Sequence, residues 1–210
     1  MRVIPARLPL ASLVLLAALG AVAPVAAEEN PNTVYNVEII VFRMAATEGA
    51  PENWSDEAGV RSVAGDESAS GSSQVGRFVA LLPASAYQLG GLEERLRASG
   101  GYVPVAHVAW SQTASAWGTR AGFPLARLGV DVPGLTGNVF LERGQFLHLG
   151  LSLSWTMAAA PTGLGAAPGT SFTMNETRRV RFYERNYYDH PAFGVLALVT
   201  PAQGARPPGR

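Results

Sequence analysis

The sequence predicts an α+β fold: a single antiparallel sheet of about five or six strands, with one main helix packed on one face. Three observations carry that reading. Short β-branched and aromatic runs recur along the chain, and most connections join neighbours as in a meander. The segment from Gln145 to Trp155 alternates apolar and polar residues, as a strand with one covered face must. One leucine stripe of helical spacing, Leu89, Leu92 and Leu96, lies between residues 85 and 99.

The elements follow in order. Tyr35 to Phe42 is a strand with Tyr35, Val37, Ile39 and Val41 on one face, and the added Ile40 and Phe42 predict cover on both faces of its second half. Residues 44–76 are Ala, Gly, Ser, Glu and Asp with few large apolar side chains, and read as a long surface loop. Phe78 to Leu82 is a short apolar piece ended by Pro83. Ser85 is suited to cap the helix, and Gly100-Gly101 stop it near Ser99. Tyr102 to Trp110 is a strand whose Pro104 marks an edge or a start. Residues 111–135 read as a second irregular stretch. Gly137 to Glu142 and Gln145 to Trp155 flank Arg143-Gly144 as a hairpin with a two-residue turn. Leu147, Leu149, Leu151, Leu153 and Trp155 form its buried face. Phe172 to Tyr183 and Val195 to Thr200 complete the set, and residues 203–210 form a loose tail.

The first 27 residues are a signal peptide by pattern. Arg2 and Arg7 precede an apolar run from Leu8 to Val22, and Pro24-Val25-Ala26-Ala27 supplies the small residues a signal peptidase reads. The run is shorter than the ~20 residues of a membrane span. Cleavage would leave residues 28–202 as one domain, with no membrane span, in the periplasm.

Composition removes several function classes. Of 210 residues, 48% are hydrophobic and 15% charged, with 16 basic and 16 acidic side chains. Such a balance lacks the basic excess that meets nucleic-acid phosphates. With no Cys there is no disulfide framework, thiolate metal site, Cys nucleophile or acylated lipoprotein anchor. Every basic side chain is Arg, so Lys chemistry is absent too. No nucleophile elbow, P-loop or zinc-helix motif occurs. His107, His148 and His190 lack paired-ligand spacing, and neither a metal nor another cofactor is expected.

The densest chemistry lies from Arg178 to Gly194, where four Arg and five aromatics share seventeen residues with Asp189 and His190. Aromatic rings stack on sugars, and guanidinium groups pair with carboxylates. The binding candidates are therefore Arg178, Arg179, Arg181 and Tyr188, with His148 and Trp110 from other strands. Asp189, His190, Pro191 and Gly194 read as a structural turn, with Asp189 accepting backbone N–H groups and Pro191 holding His190 extended.

Five blocks of sequence occur together: Y-N-V-E-I-I-V-F-R, G-G-Y-V-P-V-A-H-V-A-W-S-Q, G-Q-F-L-H-L-G-L-S-L, R-R-V-R, and Y-Y-D-H-P-A-F-G-V-L-A-L-V-T-P. In these blocks and their order, residues 34–202 resemble the CsiV-type periplasmic peptidoglycan-binding proteins of Gram-negative bacteria. The resemblance implies a non-enzymatic protein that binds the cell wall. It also implies support of a bifunctional penicillin-binding protein through that enzyme's lipoprotein activator. Two other readings compete: a glycan-cleaving envelope enzyme using Arg178, Asp189 and His190, and an adaptor that binds only protein. The export reading predicts that the periplasmic protein starts at Glu28, which N-terminal sequencing checks; an intact Met1 form in the inner membrane would contradict it.

Overall fold

The computed structural model describes residues 33–46, 61–62 and 76–202. The leader, most of the 44–76 loop and the 203–210 tail lie outside the described residues. The strands are β1 (Val34–Met44), β2 (Arg61–Ser62), β3 (Phe78–Leu81), β4 (Tyr102–Thr113), β5 (Ser115–Ala116), β6 (Ala121–Pro124), β7 (Leu135–Arg143), β8 (Leu147–Thr156), β9 (Ser171–Arg179), β10 (Arg185–Tyr188) and β11 (Phe193–Pro201). The helix α1 spans Gly90–Ser99.

There are two sheets, not one. The first runs β10-β11-β1-β4-β3, all antiparallel; the second runs β2-β6-β7-β8-β9, with β5 also paired to β7. They pack face to face, so the molecule is a mostly-β sandwich and the single-sheet α+β expectation is corrected. Tyr35, Val37, Ile39 and Val41 of β1 meet Leu149, Leu151 and Leu153 of β8 in one apolar core. The leucines on alternate residues of β8 form a buried face as expected, and it is the first sheet that covers them. Residues 111–135, expected to be irregular, contain β5, β6 and a short 3₁₀ turn, Leu125–Leu128. Strands of two and four residues are too short to display a period. The hairpin turn also differs, because Arg143 pairs with Leu147 and leaves a three-residue loop, Gly144 to Phe146.

Two tyrosines tie the sheets together through polar atoms. Tyr188 donates its hydroxyl proton to the Leu149 carbonyl across the core (2.9 Å), and Arg143 donates to the Tyr35 hydroxyl. Burial pushes the Tyr188 phenol pKa upward, with the nearby Arg178 charge pulling the other way, so the donor stays protonated.

The opposite face of the first sheet carries α1. Ile40, Phe42 and Leu198 form a second cluster with Leu89, joined by Leu92 and Leu96. The helix starts later than the Ser85 cap predicts. Ala84–Ala86 makes a separate 3₁₀ turn, and the N-cap is Leu89, which has no capping side chain. Glu38 of β1 supplies the missing acceptor. Its carboxylate, 5% exposed, accepts the N–H of Leu89 (2.8 Å) and of Gln88 (2.8 and 3.0 Å). A carboxylate at this end of a helix also meets the positive pole of its dipole. Gly100, at φ 71°, closes the other end in the left-handed region.

His107 of β4 completes the arrangement. Its Nε2 lies 2.7 Å from Glu38 Oε1 and its Nδ1 lies 2.7 Å from Glu93 Oε2 on the helix. Two carboxylates can only accept, so the ring between them carries both protons and a positive charge. The Tyr87 ring packs against it at 4.6 Å. Burial opposes that charge, but the hydrogen bonds and charges of Glu38 and Glu93 outweigh it and raise the His107 pKa above its ordinary 6.5. For Glu93, burial acts upward and is outweighed by His107 and Arg97, so its pKa falls below its ordinary 4.5.

The signs define a window. The stability from His107 is complete below the imidazole's ordinary pKa and is lost as pH rises through the raised one. The stability from Glu93 is complete above the ordinary carboxylate pKa and is lost as pH falls through the lowered one. Melting temperatures across about pH 5 to pH 9 should therefore fall on the alkaline side. In His107→Ala that alkaline fall should vanish. The variant should also be about 3–5 kcal/mol less stable, because Glu38 keeps a buried charge without its cation. An alkaline limb unchanged in the variant would remove His107 from this role.

Candidate functional site

The outer face of the second sheet gathers polar, cationic and aromatic side chains. On β8, His148, Gly150, Ser152 and Ser154 point away from the core. Their neighbours on β7 are Glu142, Phe140, Asn138 and Thr136, and on β9 they are Arg179, Thr177, Asn175 and Thr173. Beyond the first row this face is hydroxyl and amide, apart from the Phe140 ring and the Arg120 guanidinium that lies over it, 5.4 Å from its centroid. That ring lies flat over Gly150, where an added Cβ would come within 2.0 Å of Phe140 Cζ. Ser152 donates to Asn175 Oδ1 at 2.6 Å, and Thr156 and Ser171 bond at 2.6 Å. These contacts fix the positions of the polar groups along the strands.

The hairpin end of the face is aromatic and cationic. Trp117 is 55% exposed, and its ring packs on His148 at 4.1 Å between centroids. The guanidinium of Arg179 lies over the Phe146 ring, 3.4 Å from its centroid. His148 Nδ1 lies 3.0 Å from the Phe146 carbonyl, which can only accept, so Nδ1 carries the proton it donates. Arg179 has no carboxylate within ion-pair distance among the described residues.

The turn that holds Trp117 is anchored from below. Ser115 and Ala116 run parallel to β7, and the Trp117 N–H continues the ladder to the Arg143 carbonyl at 3.0 Å. Thr119 closes the turn with its N–H (3.2 Å) and hydroxyl (2.8 Å) on the Ala116 carbonyl. Arg120 then adopts φ 48°, unusual for a side chain with a Cβ. The buried Glu142 carboxylate accepts the Arg120 N–H and holds it there.

The sequence candidates separate onto different sites. His148 and Arg179 are direct cross-strand neighbours on the outer face. Arg178, one residue earlier, points to the other side, where it pairs with Glu176 (2.7 Å) and lies over the Tyr188 ring. Arg181 is exposed beyond the end of β9. Tyr188 and Trp110 are buried in the core, and the Trp110 N–H donates to Gln112 Oε1 at 2.6 Å. Neither of these two rings is open to an outside ligand. Sequence reasoning missed Trp117, which lies in the stretch read as irregular, and it missed the Glu38–His107–Glu93 trio.

The trio has acid–base residue types but no free valence for chemistry. Both imidazole nitrogens and the facing oxygens are bonded to one another under α1. No group of three or more such side chains is placed to hold a metal ion among the described residues. Nor does any hydrogen bond or ion pair join Arg178, Asp189 and His190 among the described residues. No helix among the described residues is long and apolar enough to cross a membrane.

A family model described as peptidoglycan-binding protein, CsiV, matches residues 10–202, most of the chain, and the chain belongs to that family. No curated protein and no solved structure matches it.

From Tyr188 to Gly194 the contacts fall on other atoms than the sequence reading expects. Asp189 is exposed and accepts the Tyr187 hydroxyl at 2.7 Å, not the backbone N–H groups expected of it. His190 is the buried member, and its Nδ1 accepts the Ala192 N–H at 3.1 Å. Its ring lies between Phe172 (5.9 Å) and Phe193 (4.9 Å). Gly194 leaves room for the Phe42 ring, whose Cζ would lie 2.6 Å from an added Cβ. Burial lowers the His190 pKa to about 4, against the opposing Asp189 charge. A neutral buried His contributes stability that is lost as pH falls from about 6.5 toward that value. Thermal melting should show Asp189→Ala within about 1 kcal/mol of wild type and His190→Ala destabilised by about 2 kcal/mol or more. Equal shifts would return the turn to Asp189.

Proposed function

We propose that this member of the CsiV peptidoglycan-binding family acts in the periplasm as a non-enzymatic wall-binding accessory protein. The family match over residues 10–202 is the observation that carries the reading. Two structural features support it. The acid–base trio is closed on itself beneath a helix, which suits a framework role better than turnover. The most elaborated exposed surface combines aromatic rings, guanidinium groups and neutral polar side chains, the chemistry that recognises amino sugars bearing carboxylates. In this reading the signal-like leader delivers the chain across the inner membrane. The wall-bound protein then assists a bifunctional penicillin-binding protein through its outer-membrane lipoprotein activator. That last step rests on the resemblance of the five sequence blocks.

A sacculus pull-down of residues 28–210, with mass spectrometry of partners, tests both levels. The expected result is retention on sacculi, recovery of a lipoprotein activator from envelope extract, and no soluble muropeptides after prolonged incubation. Released muropeptides would make the protein an enzyme. Retention without the activator would leave wall binding and remove the accessory role.

A further inference from the structure

We propose that the outer face of the second sheet is the glycan subsite, with Trp117 as the sugar platform and Arg179 as the contact for a carboxylate borne by that sugar or its peptide stem. The inference rests on the wall-binding reading and adds the surface and the ligand chemistry to it. Trp117 is held as a rigid exposed ring: its backbone is tied to β7, its turn is closed by Thr119 and Glu142, and its ring is backed by His148. An indole fixed this way presents one flat apolar face, which matches the C–H face of a pyranose. The other aromatic rings on the strands of this sheet, Phe123, Phe140, Trp155 and Phe172, are buried, and Phe146 in the hairpin lies under Arg179.

The rest of the face matches the remainder of such a ligand. Arg179 sits on β9 directly across from His148 on β8, so Trp117 and Arg179 flank one imidazole. The Trp117 ring lies on His148, and Arg179 is one strand further on, so the two groups are on the order of 10 Å apart, the reach of a sugar with a short acidic arm. The Phe146 ring under Arg179 orients the guanidinium plane and leaves its N–H fork for a carboxylate. Further along the strands, the hydroxyls of Ser154 and Thr177 offer uncharged polar groups to the next sugars.

The test compares retention on intact sacculi for wild type, Trp117→Ala, Trp117→Phe, Arg179→Ala and Arg178→Ala, each with a melting curve. Trp117→Ala should lose about tenfold in affinity, the worth of one anchoring aromatic, and Trp117→Phe should recover most of it. Arg179→Ala should weaken binding to sacculi and leave binding to a neutral chito-oligosaccharide unchanged. Arg178→Ala, altered on the other side of β9, should bind as wild type. Protection of Trp117 from chemical oxidation by sacculi, mapped by mass spectrometry on wild type, reads the same contact without any substitution. Wild-type retention with undiminished Trp117→Ala and Arg179→Ala binding, or with Trp117 unprotected, would overturn this site and leave the wall-binding reading standing. Loss of wild-type retention itself would overturn both.

Discussion

Burial of β1 on both faces is the constraint on which the architecture depends. One face presents Tyr35, Val37, Ile39 and Val41 to the second sheet. The other presents Glu38, Ile40 and Phe42 to the helix. A strand segment covered twice must be apolar, and Val37 to Phe42 of β1 is, except at Glu38. An ionised carboxylate there would be costly unless every oxygen found a partner. It finds two backbone N–H groups at the start of α1 and an imidazolium from β4. The same atoms that make Glu38 tolerable also fix where α1 begins and which way it lies across the sheet. An apolar residue at this position would pack, but it would leave the helix start without an acceptor.

That double cover explains why the strands were legible in the sequence and their arrangement was not. Alternation at Leu147, Leu149, Leu151, Leu153 and Trp155 shows that one face of β8 is covered. It is silent on what covers it, because a helix and a second sheet demand the same apolar pattern from the strand beneath. Ile40 and Phe42 correctly announced cover on both sides of β1. The second layer was invisible because its edge is assembled from fragments as short as β5 and β6. The α1 start was misread for a related reason. Local capping rules favour Ser85, whereas the acceptor used comes from Glu38, fifty residues away from Gln88 in sequence.

The candidate site was half legible, and period-two geometry decides which half. Arg178 and Arg179 are adjacent in sequence and identical in chemistry, so composition ranks them alike. A strand sends them to opposite faces, one to Glu176 and Tyr188 and the other to Phe146 and His148. Residue type also overstated Tyr188 and Trp110, whose polar tips are used inside the core. Trp117 carried no local signal because its neighbours have no periodicity. Its importance comes from exposure and from a ring 31 positions later in the chain, neither of which a single sequence displays.

The Trp117 turn brings three locally unfavourable features together. A large apolar ring is left in solvent, Arg120 occupies a left-handed backbone region, and Glu142 is buried beneath the turn. A left-handed residue other than glycine costs on the order of 1 kcal/mol, and an exposed indole gains nothing from burial. Neither expense helps the sandwich close. Neither Trp117 nor Arg120 belongs to the inter-sheet core. Glu142 offsets the backbone strain by taking the Arg120 N–H, so one unfavourable feature is stabilised by another that would otherwise be unfavourable alone. Local conflicts supported in this way concentrate where a protein contacts something else. On this sheet they converge beside the row that sets His148 against Arg179.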